Sequence, residues 1–89
     1  MYRATMINIK KLLDDLWEEF NIRIGQIIEH HLNDNIQNYS EEIWKIYDEW
    51  WDYLKTLERV KLLKKEECEN MIRLADNRCI EVIAILKEQ

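Results

Sequence analysis

An all-α fold, a small three-helix bundle, is what this sequence predicts, and three observations predict it. One glycine and no proline occur in 89 residues, which leaves an all-β fold without its usual tight turns. Apolar residues make up 47% and charged residues 35% of the chain, so there is enough to bury, and disordered classes are excluded. The apolar residues recur at helical spacing in three stretches, read at about 100° per residue. With no linker and no internal repeat, residues 1–89 read as one helical domain. A chain this small buries only about 60% of its unfolded surface, so oligomerisation, as a homodimer, is expected to help stabilise it.

The first helix is predicted from about Thr5 to Asn33. Ile9, Leu13, Leu16, Phe20, Ile24, Ile27 and His31 fall on one side, with Trp17 and Ile28 at its edge. Gly25 costs about 1 kcal/mol against Ala in a helix interior. A break there would turn three helices into four. The run Asn33 to Asn38 reads as a loop, because Asn and Asp compete for backbone groups.

The second helix is predicted from about Glu41 to Lys61. Asn38 with Glu41 fits a capping box, and Ser40 is an alternative N-cap with Tyr39 and Trp44 as its staple. Ile43, Tyr47, Trp50, Leu54 and Leu57 centre the apolar face, flanked by Ile46 and Tyr53. Lys45–Glu49 and Asp52–Lys55 are spaced to pair on the polar face. Trp44 and Trp51 point about 80–100° away from the core centre. They meet either a second helix of the same bundle or another chain.

No Gly or Pro marks the next boundary. Lys61 and Lys64 interrupt the Leu54, Leu57 line, which predicts a turn around Leu62–Lys65. The alternative is one helix over 41–88, needing an extended partner. The third helix, about Lys65 to Lys87, has a seam of Cys68, Met71/Ile72, Ala75, Cys79, Val82 and Leu86. Its heptad-like spacing suits antiparallel packing. Leu74 and Ile85 lie together off this seam, and Ile80 lies on its other side.

Chemistry-bearing patterns are sparse. Cys68 and Cys79 share a face three turns apart, too far for one metal ion, and read as buried small hydrophobes. His30 and His31 are adjacent and cannot form an i,i+4 zinc pair. His31 reads as a packing residue and His30 as solvated. Ser40 is better used at a helix start, and no Gly-rich turn could build an oxyanion hole or cradle phosphate. No catalytic residue, metal ligand or cofactor site is assigned.

Net charge is -5, which argues against non-specific nucleic-acid or anionic-membrane binding. It is unevenly spread: residues 11–52 hold eleven acids and three bases, which suggests a basic partner surface. The N-terminus lacks the apolar core of a secretory signal, and no run approaches the roughly 18–20 apolar residues that span a bilayer. A cytoplasmic location with reduced thiols and no membrane contact is therefore expected.

Surplus apolar surface without catalytic machinery predicts a non-catalytic protein–protein interaction module. Its expected contact residues are Trp44, Asp48, Trp51, Asp52, Leu74 and Ile85. A sharper expectation is a small acidic phage or mobile-element inhibitor acting on a host nucleic-acid-handling enzyme. The alternatives are a DNA-linked transcriptional regulator using Arg59–Lys65 and the last helix, and a structural homo-oligomer.

Overall fold

In a computed structural model the described residues are 8–34 and 37–88. They form three α-helices and no strand: α1 (Ile9–Asp34), α2 (Tyr39–Arg59) and α3 (Lys65–Lys87). Asn8 caps α1. Its Oδ1 accepts the Lys11 N–H at 3.0 Å, and its carbonyl accepts the Leu12 N–H at 3.0 Å. The start expected near Thr5 lies outside the described residues. At its other end α1 continues through Asn33 and Asp34, where a loop is expected. Asn35 and Ile36 lie outside the described residues.

The described residues contain no fourth helix, because α1 runs through Gly25 unbroken. Gly25 is exposed, while Ile24 and Ile27 beside it are buried. Packing of that face outweighs the roughly 1 kcal/mol propensity penalty of one glycine.

Asn38 is the N-cap of α2, but its side chain bonds no first-turn N–H. Its Nδ2 donates instead to Glu42 Oε1 at 3.4 Å. The expected capping box through Glu41 is therefore not formed, and Ser40 sits inside the helix rather than capping it.

The second boundary is a Schellman turn built without glycine. The Leu62 N–H donates to the Leu57 carbonyl at 2.9 Å, and the Lys61 N–H to the Glu58 carbonyl at 3.0 Å. Lys61 adopts φ 65°, the left-handed conformation usually given to Gly at this position. Leu63 is buried and plugs the turn, and α3 starts at Lys65. The continuous 41–88 helix is thereby excluded.

The three helices form a splayed bundle. α1 and α3 each pack on α2 and scarcely touch one another. Both run antiparallel to α2: His31 meets Tyr39 while Trp17 meets Trp50, and Trp50 meets Met71 while Tyr47 feels Asp76. The Cα extents are 57 × 25 × 15 Å. Three helices in a closed triangle would measure about 14 by 13 Å across. The radius of gyration, 15.6 Å, likewise exceeds the roughly 12 Å of a globular chain of this length.

The core follows the predicted stripes. Phe20, Ile24, Ile43, Leu54, Cys68, Ala75, Cys79, Val82 and Leu86 are buried. Trp50 joins all three helices: its ring lies 5.4 Å from Trp17 and 5.5 Å from Phe20, and its Nε1 donates to the Met71 carbonyl at 3.2 Å. His31 is buried, its ring 4.5 Å from Tyr39. The pairings on the polar face differ from expectation. Glu49 pairs with Arg23 of α1 rather than Lys45, and Lys55 with Glu58 at 3.6 Å rather than Asp52. The Arg23–Glu49 pair joins α1 to α2 and cannot be read from spacing along a single helix, whereas Lys55–Glu58 is an i,i+3 pair within α2.

Candidate interaction surface

The α2–α3 furrow brings the most contact-prone side chains together. Tyr47, Trp51 and Lys55 line it from α2, and Glu69, Ile72, Arg73 and Asp76 from α3, around an open cleft of about 380 Å³. Trp51 remains 40% exposed, with Lys55 Nζ 5.5 Å from its ring centre. Trp44 is half-buried and meets Tyr47 edge-on at 5.2 Å. Of the two tryptophans expected at this edge, Trp44 is thus partly absorbed by the bundle and Trp51 stays open. Asp48 and Asp52 are exposed on the next strip of α2. Burial, together with Asp76, Cys79 and Asp48, pushes the Tyr47 phenol above its ordinary value of 10.0.

Ile80 is exposed to 54% and belongs to this flank. It follows Asp76 by one turn and Arg73 by two, placing it about 40° and 20° from them around α3. Leu74 and Ile85 face the other way, beside Met71 on the side of α3 nearest α1. They are 52% and 49% exposed. The six predicted contact residues therefore divide: Trp44, Asp48, Trp51 and Asp52 on one flank, Leu74 and Ile85 on the other. Sequence periodicity separates Ile80 from Leu74, but only the side on which α1 packs shows which of them shares a flank with Trp51.

The remaining reactive groups are committed elsewhere. Cys68 and Cys79 are free thiols, both fully buried. Burial and neighbouring Glu58 push the Cys68 thiol up, and burial with Asp76 pushes Cys79 up to about 11. Among the described residues, no three His, Cys, Asp or Glu side chains gather as a metal site. No described helix is long and apolar enough to cross a membrane. The α1–α2 groove is mixed, with Arg23, His30, Glu42, Lys45 and Glu49 beside Ile27 and Ile46. Its Arg23 guanidinium is bound to Glu49, and His30 Nε2 lies 3.2 Å from Asp34. At the far end of the rod Arg59, Lys61, Lys64 and Lys65 are all exposed around the Schellman turn.

No protein-family model, curated protein or solved structure matches this chain.

Proposed function

We propose that this chain is a non-catalytic protein-binding module whose partner docks on the α2–α3 furrow around Trp51. One observation carries the reading: Trp51 and Ile80 stay 40% and 54% exposed on one flank, with exposed or half-exposed acids at its edge. Asp48, Asp52, Glu69 and Asp76 supply those acids. A half-open aromatic within a polar rim is the usual layout of an interface hot spot. The complementary surface is basic around an apolar anchor. Full burial of both thiols supports the absence of nucleophilic chemistry.

A finer form of this reading makes the partner a nucleic-acid-handling enzyme whose basic groove receives the acidic surface, as a small phage or mobile-element inhibitor would. It is supported by the eleven acids of residues 11–52, all exposed except Glu42.

Capture of proteins from a lysate by immobilised wild type, Trp51→Glu, Ile80→Glu and Leu74→Glu tests the site, with helical content checked by circular dichroism. Wild type and Leu74→Glu are expected to retain the same protein, and the other two variants to lose it. Release by rising salt and by added DNA or RNA supports the finer form. Capture unchanged in both Trp51→Glu and Ile80→Glu overturns the proposal. Direct binding of duplex DNA, lost when Lys61 and Lys64 become Glu, would replace it with the DNA-linked reading.

A further inference from the structure

We infer that the free flank of α3 is where a second copy of this chain docks, antiparallel, about a two-fold axis passing near the Cys79–Ile80 peptide. This face is separate from the Trp51 furrow and its argument does not depend on that reading. Met71, Leu74, Arg78, Glu81 and Ile85 recur at alternating three- and four-residue steps, forming a second seam beside the buried one. Leu74 and Ile85 are 52% and 49% exposed, so the apolar part of this seam lacks cover. Between them stand Arg78 and Glu81, whose mutual contact within the chain is long at 3.6 Å, with side chains 38% and 64% exposed.

The pattern is self-complementary. Leu74 and Ile85 are placed symmetrically about the Cys79–Ile80 peptide, and so are Arg78 and Glu81. A second α3 turned antiparallel about that point sets its Ile85 opposite Leu74 and its Glu81 opposite Arg78. Each pairing then occurs twice, as an isologous interface requires. A parallel arrangement would place Arg78 on Arg78 and Glu81 on Glu81, which like charges disfavour. The central charged layer thus fixes orientation, and the apolar pairs on either side supply the burial. The exposure of Leu74 and Ile85 shows that α1 leaves this approach open.

Absolute mass by light scattering, on folded full-length chains at high micromolar concentration, tests the inference. Wild type is expected at the mass of two chains, falling to one on dilution. Arg78→Glu makes the central layer wholly acidic and Glu81→Arg wholly basic. Each variant alone is expected as a single chain, while an equimolar mixture returns to two. The doubly swapped Arg78→Glu/Glu81→Arg chain is expected to recover the two-chain mass by itself. Trp51→Glu is expected to leave the dimer unchanged. A wild type that stays single, a charge variant that keeps the two-chain mass, a mixture or double swap that fails to recover it, or dimer loss in Trp51→Glu would each overturn the inference.

Discussion

The indole Nε1 of Trp50 donates a hydrogen bond to the backbone carbonyl of Met71 across 3.2 Å. The same ring system meets Trp17 and Phe20 at tilted angles, with ring centres 5.4 and 5.5 Å away. α1 and α3 approach one another only locally, and this one side chain touches both outer helices. Replacing Trp50 by Phe keeps much of the aromatic packing and removes the donor. A loss of about 1–2 kcal/mol is expected, lowering the urea midpoint by roughly 1 M at the slope of a small domain. Trp50→Ala is expected to lose about 3–5 kcal/mol, a large share of the total stability of a domain this size. Equal midpoints for wild type and Trp50→Phe would show that the Met71 bond contributes nothing.

The chain has one glycine, and it is not where the backbone needs one. Gly25 lies in the interior of α1 at a site where an added Cβ meets nothing within 4 Å. Lys61 occupies the left-handed position of a Schellman turn at φ 65°. Gly25→Ala is expected to stabilise by about 0.5–1 kcal/mol, and Lys61→Gly by about 1 kcal/mol. Arg23 binds Glu49, and Lys61 lies about 18 Å further along α2 by helical rise. The two gains are therefore expected to add. Thermal melts of both single variants and the double variant check this. A destabilised Lys61→Gly would refute the assignment of strain to that residue.

These two positions also show what was legible in the sequence. Of the apolar stripes, Phe20/Ile24/Ile27, Ile43/Trp50/Leu54/Leu57 and Cys68/Ala75/Cys79/Val82/Leu86 became core, because amphipathic period survives any choice of neighbour. Tyr47, Met71 and Ile72 are only half-buried, and Ile46, expected at the flank, is buried. The α2–α3 turn was readable only as an interruption by Lys61 and Lys64, since the glycine that normally marks such a turn is missing. Burial of Ile83 and Leu63 was not readable. It depends on how far the apolar arc of α3 wraps around α2, and on the turn folding back under itself. The candidate site was half legible. Trp51 and the acids beside it follow from the wheel of α2, whereas Ile80 joins them only because α1 packs on the other side of α2.

Alkaline pH is expected to weaken the fold through its buried acids. Burial raises the Cys79 thiol from 9.0 to about 11, and Cys68 and Tyr47 are raised in the same direction. A raised pKa means that the folded state holds its proton more tightly than the unfolded chain does. The associated stability is fully present below about pH 9 and is lost as pH rises through about 11. For Cys79 that loss is on the order of 2–3 kcal/mol. Cys79→Ala carries a packing cost of its own at neutral pH, but it removes the titrating group. Its stability is therefore expected to fall less steeply between pH 9 and 11 than that of wild type, with a residual slope from Cys68 and Tyr47. Urea midpoints of both proteins at half-unit pH intervals provide the comparison. Parallel curves across that range would mean that Cys79 ionises no more reluctantly in the fold than in the unfolded chain.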